Sequence, residues 1–397
     1  MRTSYIIDVI RTPIGRLGGK LSSVRPDDLL ALVIAELIRR NPKVDVNAIE
    51  DVIAGAANQA GEDNRNVARM AVLLAGLPLT IGGITVNRLC ASGLQAVMDS
   101  ARAIMCGDGE IYIAGGVESM TRAPFVIAKN QEPWSRKVEM FDTSIGWRFV
   151  NKNLAEKFYP YNMGETAENV AKQYNISREE QDAFAAASQQ KYFAAHEAGK
   201  WQHEVFPVQT RQNNELTIFQ DDEHPRRTSM EKLASLKPAF IKDGTVTAGN
   251  SSGINDGAAA MLLASEEAVT RYGLKPMAKI VSMAIAGVDP SIMGMGPVPA
   301  TKKALQRAGL TINDIDLIEM NEAFASQSLA CIRELNINTD ILNVNGGSIA
   351  IGHPLGCTGV RISATLLYEM KRRNVRYGLA TMCVGVGQGA AVIYEKL

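Results

Sequence analysis

The sequence predicts an α/β protein made of two similar core halves, with an excursion inserted into the first. Three observations point there. Short apolar runs alternate with helical patterns along most of the chain, the signature of layered α/β architecture. The chain also repeats itself: Val46 to Ile53 is echoed by Ile312 to Glu319, and Val86-Asn87 by Val344-Asn345. Between about residues 121 and 243 the character changes. All three tryptophans (Trp134, Trp147, Trp201) and three of the four histidines lie there, and apolar periodicity weakens. The expected division is 1–120 with 244–272 as one core, 121–243 as a loop domain, and 273–397 as the second core.

Tyr5 to Ile10 reads as the first strand. Asp27 to Arg39 reads as a helix, because Leu29, Leu30, Leu32, Val33 and Leu37 supply one apolar face. An apolar run, Ile81 to Val86, leads into Cys90. Beyond it Leu94, Val97, Met98, Ala101, Ile104 and Met105 recur at helical spacing until Gly107 stops the run. Ile111 to Gly116 is then a short buried strand. Within the excursion, helices are expected near 164–173 and 178–198. From Thr245 the strand pattern returns, and Tyr377 to Met382 is the counterpart of the strand that begins at Ile111.

At 397 residues, 46% hydrophobic and 21% charged, the chain has room for two or three units with real cores. Forty-two basic residues balance 42 acidic ones, so nothing recommends nucleic acid as a partner. No apolar stretch approaches the ~18–20 residues that span a bilayer. Strand-like sequence begins near the first residue and the chain does not end in Ser-Lys-Leu, so a cytoplasmic protein is expected. Five cysteines, Cys90, Cys106, Cys331, Cys357 and Cys383, are scattered without metal-ligand spacing, and no zinc or other metal site is predicted. Cys106 and Cys331 read as small buried residues in helices. Cys357, close to His353, is open.

Chemistry concentrates in a few segments. Cys90 lies at a strand-to-helix junction, where unpaired N–H groups and the helix dipole favour a thiolate. His353 closes a glycine-rich loop, Asn345 to His353. That loop lacks the Walker Gly-Lys-Ser/Thr pattern, and Pro354 holds the histidine extended at a helix start. Such a histidine suits a base at neutral pH. Cys383 precedes Gly385, Gly387 and Gly389, whose backbone N–H groups fit an oxyanion hole or a tight turn. Asn321-Glu322-Ala323-Phe324 ends the second repeat, and Thr247 to Gly253 offers the small residues of a narrow channel. A nucleophilic cysteine, a histidine base and a second thiol suit making or breaking a carbon–carbon bond beside a thioester.

Jointly these segments resemble the thiolases over the whole chain. Arg11 to Gly15, Gln59 to Gly61, Asn87 to Gly93, Gly115 to Met120, Thr247 to Gly257, Asn321 to Phe324, Gly352 to Pro354 and Cys383 to Gly389 stand in thiolase order. The resemblance implies the five-layer thiolase fold, a loop domain, a homotetramer (a dimer of dimers), and CoA and acyl-CoA as ligands with no cofactor. It implies that His353 takes the proton of Cys90, that Cys90 carries the acyl group, and that Cys383 shuttles the other proton. One oxyanion hole would use His353 and a water held by Asn321, the other the N–H groups of Cys90 and Gly385. Met163, Arg226, Phe240, Ala248 and Ser252 would line the CoA site, with Met293, Ala323 and Phe324 nearer the acyl group.

Asn58 to Arg69 and Asp142 to Phe149 are similar to segments of 3-oxoadipyl-CoA thiolases, with Arg148 a candidate partner for a distal carboxylate. Asn162-Met163-Gly164 replaces the His-Met-Gly of acetoacetyl-CoA thiolases, and Gly164 stands where the 3-oxoadipyl branch is expected to carry proline. A general 3-oxoacyl-CoA or acetoacetyl-CoA thiolase stays open as the alternative. A ketoacyl synthase-type condensing enzyme shares the fold but needs a His or Asn base in place of Cys383.

Overall fold

The computed structural model describes residues 2–130, 132–212 and 215–397. Its main strands are β1 (Ser4–Arg11), β2 (Ile49–Gly55), β3 (Ile84–Val86), β4 (Ile111–Ser119), β5 (Asn255–Ser265), β6 (Ala278–Gly287), β7 (Leu317–Met320), β8 (Tyr377–Val384) and β9 (Gln388–Lys396). With the two-residue strand Gly15–Arg16 they join in one ten-stranded sheet of order β7-β8-β9-β6-β1-β5-β4-β2-β3. From the β1–β6 seam outward, β5 answers β9, β4 answers β8 and β2 answers β7. β2–β4 and β7–β8 pair parallel, whereas β4–β5 and β8–β9 pair antiparallel. The echoed segments occupy equivalent places. Short 3-10 turns, Val46–Ala48 and Ile312–Asp314, lead into β2 and β7 respectively.

The helices that matter are α1 (Pro26–Arg40), α2 (Ser92–Cys106), α3 (Met163–Gln173), α4 (Arg178–Glu197), α5 (Pro297–Ala308), α6 (Ala325–Leu335) and α7 (Leu355–Arg373). β4 is buried along its whole length. Tyr112 and Ala114 face one apolar cluster and Ile111, Ile113 and Val117 another, the period-2 pattern of a strand covered on both sides. The first cluster is central: Leu94, Val97 and Ala101 of α2 and Val360, Leu366 and Leu367 of α7 pack with strand residues of both halves. α1 covers the outer face of the first half through Leu29, Leu30, Val33 and Leu37. α5 and α6 cover the second through Ala304, Leu305, Ala330 and Leu335. Helix, one half of the sheet, central helix pair, the other half of the sheet, helices: this is the five-layer arrangement.

Two expectations change here. The run Ile81 to Val86 is a strand only over Ile84–Val86, because Gly82-Gly83 interrupts it. Cys106 is exposed at the last position of α2, not buried, since the apolar face of that helix has by then turned away. Cys331 is buried as expected. Cys357 is fully buried in the central cluster, where burial raises its thiol to about 12.

The 121–243 segment carries two small antiparallel pairs, Phe125–Ile127 with Met140–Asp142 and Val208–Gln212 with Glu215–Phe219, besides α3 and α4. It is bolted to β1 by a buried cation. Arg11 Nε lies 2.7 Å from Glu204 Oε1, and Arg11 Nη1 lies 2.7 Å from Asp222 Oδ1. Removing either carboxylate would leave buried charge uncompensated, at about 3–5 kcal/mol.

Candidate active site

Cys90 sits in a turn built by its neighbours. Asn87 Oδ1 accepts from Leu89 N–H (2.8 Å), and Ser92 Oγ accepts from Arg88 N–H (2.9 Å) while donating to the Leu89 carbonyl (2.6 Å). These bonds hold Leu89 at φ +46°, an uncommon conformation for a branched side chain. α2 starts at Ser92, so Cys90 lies just outside the helix rather than on its first turn. The residue is half-buried. Burial pushes its thiol up to about 11, against backbone hydrogen bonds from Gly385 and from Cys90 itself. Burial thus works against the thiolate expected from the strand-to-helix context and favours the neutral thiol.

His353 is fixed at both ring nitrogens and at its backbone. Nδ1 lies 2.7 Å from Thr358 Oγ1, and Asn321 Nδ2 lies 3.3 Å from Nε2. The Thr358 hydroxyl donates its own proton to the Pro354 carbonyl (2.8 Å), so it accepts from Nδ1–H. That assigns the tautomer and makes Nε2 the ring's acceptor, facing the Asn321 amide. His353 N–H donates to Asn255 Oδ1 (2.9 Å). Burial, aided by the Arg361 charge, lowers the imidazole to about 3, so it too is neutral at rest. The ring's hydrogen bonds go to Asn321 and Thr358, not to Cys90.

The loops of Cys90 and His353 are nevertheless held together at their following helices. A Cβ on Gly93 would stand 2.5 Å from the Gly356 carbonyl oxygen, so only glycine lets α2 and α7 meet this closely. Glu118 fastens the same junction. Its carboxylate accepts from the N–H groups of Ala57 (2.9 Å), Asn58 (3.0 Å) and Gly356 (2.8 Å), and burial raises it to about 7.

Cys383, fully buried near the end of β8, joins an apolar cluster with Met293, Ala323, Phe324, Ala167 and Val246, against which Met163 packs. Burial and then the neighbouring Cys90 sulfur raise its thiol far above the ordinary range. Gly385 stands between the parts: a Cβ there would lie 3.1 Å from Leu89 Cδ1 and 3.5 Å from Met163 Sδ. The Phe240 ring meets Phe324 edge-on at 6.0 Å between centroids. Ser252 N–H donates to the Ala323 carbonyl (3.0 Å), bringing the small-residue segment alongside Asn321 to Phe324.

Cys90, Cys383, Gly385, Met163, Met293, Ala323, Phe324, Phe240 and Ser252 thus gather in one region with His353 and Asn321. Ala248 is exposed on the same small-residue segment. Arg226 is exposed on the 121–243 segment, its N–H anchored to Gln189 Oε1 (2.9 Å) of α4. Arg148 is half-buried, its Nη1 donating to the Thr143 carbonyl (3.3 Å) that Asn58 Nδ2 also reaches (3.2 Å). The sequence reading missed Thr358, Asn255 and the tie made by Glu118. Only the glutamate had a signal, a carboxylate inside an otherwise apolar strand. Among the described residues no His, Cys, Asp and Glu group could hold a metal ion, and no helix is long and apolar enough to cross a membrane.

Residues 4–267 match the thiolase N-terminal domain and residues 274–396 the thiolase C-terminal domain. The chain is 56% identical, with all of both chains covered, to the 3-oxoadipyl-CoA/3-oxo-5,6-dehydrosuberyl-CoA thiolase of Escherichia coli K12. It is 54% identical over the same full coverage to a β-ketoadipyl-CoA thiolase of Pseudomonas aeruginosa. The solved human mitochondrial 3-ketoacyl-CoA thiolase superposes with a TM-score of 0.93 at 39% identity, covering 100% of this chain and 99% of that one. The chain belongs to the thiolase family.

Proposed function

We propose that this thiolase cleaves 3-oxoadipyl-CoA with CoA to succinyl-CoA and acetyl-CoA, by way of an acyl group on Cys90. The chemistry rests on one observation: Cys90, Gly385, Cys383 and Met163 gather in the region where His353, its Nδ1 held by Thr358, turns Nε2 toward Asn321. The substrate rests on the relatives named for 3-oxoadipyl-CoA.

His353 Nε2 takes the Cys90 proton as the sulfur attacks the 3-keto carbon. Transfer within a neutral pair creates opposite charges side by side, which offsets the desolvation that keeps each group neutral at rest. The carbon–carbon bond then breaks, leaving succinyl on Cys90 and the enolate of acetyl-CoA, which the Cys383 thiol protonates. The resulting Cys383 thiolate deprotonates incoming CoA, whose sulfur removes the acyl group and regenerates Cys90. Negative charge develops on a different oxygen in each half, so two separate donor sets are useful. His353 with Asn321 would serve the enolate, and the N–H groups of Cys90 and Gly385 the acyl oxygen.

CoA would run over the 121–243 loop domain past Met163, Arg226, Phe240, Ala248 and Ser252, with Met293, Ala323 and Phe324 beside the acyl chain. CoA is a substrate and the chemistry needs no cofactor. A cytoplasmic homotetramer is part of the proposal. Association of the chains is supported by the exposed edge strand with Ile84 and by exposed apolar side chains at Phe125, Ile127, Trp134 and Met140. Sedimentation should give four chains per particle.

The deciding experiment compares 3-oxoadipyl-, acetoacetyl- and longer 3-oxoacyl-CoA esters, then maps label from acetyl-CoA by peptide analysis. Highest kcat/KM on 3-oxoadipyl-CoA and label on Cys90 are expected. Label on Cys383, or full turnover by Cys90→Ala, would reject the mechanism. A higher kcat/KM on the neutral esters would reject the substrate.

A further inference from the structure

Behind Asn321 lies a buried polar chain that the reaction steps above do not use. Ser348 Oγ donates to Asn321 Oδ1 at 2.5 Å, and Arg361 Nη2 donates to Ser348 Oγ and to the Gly352 carbonyl (3.4 Å). Asn321, Ser348 and Arg361 are all 0% exposed. Among the described residues, Arg361 Nε and Nη1 have no protein hydrogen-bond partner, nor has Oε2 of Glu319, the carboxylate whose charge acts most strongly on Arg361. Burying a guanidinium completely is costly, so packing alone is a poor account of it.

We propose that Arg361 and Ser348 are positioning residues that lock the Asn321 carboxamide with Nδ2 facing His353 Nε2. The direction of the chain follows from what each group can do. Arginine only donates, so it occupies a lone pair of the Ser348 hydroxyl and leaves that single proton for Asn321 Oδ1. The amide oxygen is thereby tied back, and the amide nitrogen is the end left for the reacting site. A cation at the far end polarises the hydroxyl and the amide in turn, making Nδ2–H a stronger donor where enolate charge would develop. Without it the hydroxyl can rotate and the amide can flip, offering an acceptor to the very oxygen that needs a donor. Glu319 exerts the strongest carboxylate influence on the guanidinium, although burial raises its own carboxyl well above the ordinary range.

The inference rests on the thiolase reading of the Asn321–His353 site, and two partial reactions separate the two ideas. Exchange of the acetyl-CoA methyl hydrogens with deuterated solvent reports enolate formation, whereas acetylation of Cys90 by acetyl-CoA uses the other donor set. In Ser348→Ala the exchange should fall about 10- to 100-fold, the usual effect of losing an orienting partner, while Cys90 acetylation and the KM for acetyl-CoA stay near wild type. Arg361→Lys should keep more exchange than Arg361→Met, because the cation matters. Undiminished exchange in Ser348→Ala, or exchange and acetylation falling by the same factor, overturns the proposal. Full exchange in Arg361→Met does so as well. Should the Arg361 variants fail to fold, Ser348→Ala alone decides. Wild-type enzyme that exchanges no methyl hydrogen would instead defeat the enolate reading itself.

Discussion

His353 Nδ1 and Thr358 Oγ1 lie 2.7 Å apart, the threonine standing in the first turn of the helix that follows the histidine. Because Thr358 gives its own proton to the Pro354 carbonyl, it can only accept from the ring, and the imidazole is held as the Nδ1–H tautomer. The base is thus chosen by a residue that touches no substrate. Thr358→Val keeps the shape and removes the acceptor. It should lower kcat by about 10- to 100-fold with little change in KM. Steady-state kinetics on acetoacetyl-CoA would check this, and unchanged kcat would show that Thr358 does not set the tautomer.

The protonation of Cys90 gives a pH prediction with a definite sign. Burial raises the thiol to about 11, so its neutral form dominates at all lower pH and the thiolate fraction grows tenfold per unit toward that value. Alkylation of free enzyme by iodoacetamide should therefore keep accelerating between pH 7 and about 10 with no plateau. A helix-stabilised thiolate would level off near neutrality. A plateau below pH 8, tracked by mass spectrometry of the Cys90 peptide, contradicts the desolvated thiol.

Much of the fold was legible because apolar period and repeat act locally. Val46 to Ile53 and Ile312 to Glu319 form equivalent 3-10 turns and parallel strands, and the helices expected near 27–39, 164–173 and 178–198 appear as Pro26–Arg40, Met163–Gln173 and Arg178–Glu197. The reacting side chains were legible too, through segments that resemble thiolases. Their supports were not. Thr358, Ser348 and Arg361 are polar residues whose meaning depends on what the fold brings opposite them, and spacing carries no trace of that. The Cys90 thiolate misled for a related reason. A helix N-terminus can be read from sequence, but the burial that outweighs it is a property of packing.

The Cys90 sulfur helps to raise the Cys383 thiol, yet the two have different neighbours, an apolar cluster for Cys383 and backbone donors for Cys90. Separate roles follow. Cys383→Ser should still take an acetyl group on Cys90 but lose about 10²–10⁴ in kcat, the range for a general acid–base group. Acylation and turnover measured on one sample would show the split. Near wild-type turnover would reduce Cys383 to a packing residue.

The Phe240 ring lies over Gly164, where a Cβ would stand 2.1 Å from Cγ of the ring. Any side chain at 164 must push Phe240, and with it the edge-on contact with Phe324. This accounts physically for glycine here in place of the proline expected of the 3-oxoadipyl branch. Gly164→Ala should raise the KM for CoA about threefold to tenfold, roughly 1 kcal/mol of lost contact, with kcat less affected. Unaltered KM would show that Phe240 relocates without consequence or lies off the CoA path.

Substrate choice can be tested at Arg148. Its guanidinium shares the Thr143 carbonyl with Asn58, and the adjacent Ala57 carbonyl receives Asn87 Nδ2 (2.9 Å), two residues before the Leu89–Cys90 peptide bond. Arg148 is thus wired to the nucleophile's turn while still half-exposed, as a partner for the far end of a dicarboxylate should be. A fully buried charge-assisted bond would contribute about 1.5–3 kcal/mol, and solvent at a half-exposed site reduces this to about 1–2 kcal/mol. The enzyme should then prefer 3-oxoadipyl-CoA over the neutral 3-oxohexanoyl ester by roughly 5- to 30-fold in kcat/KM. Arg148→Met should erase most of that preference and leave the neutral ester alone, because only the charged tail loses a partner. Equal loss on both esters would make Arg148 a support of the 143–148 turn, and a preference that survives the substitution would move carboxylate recognition elsewhere in the site.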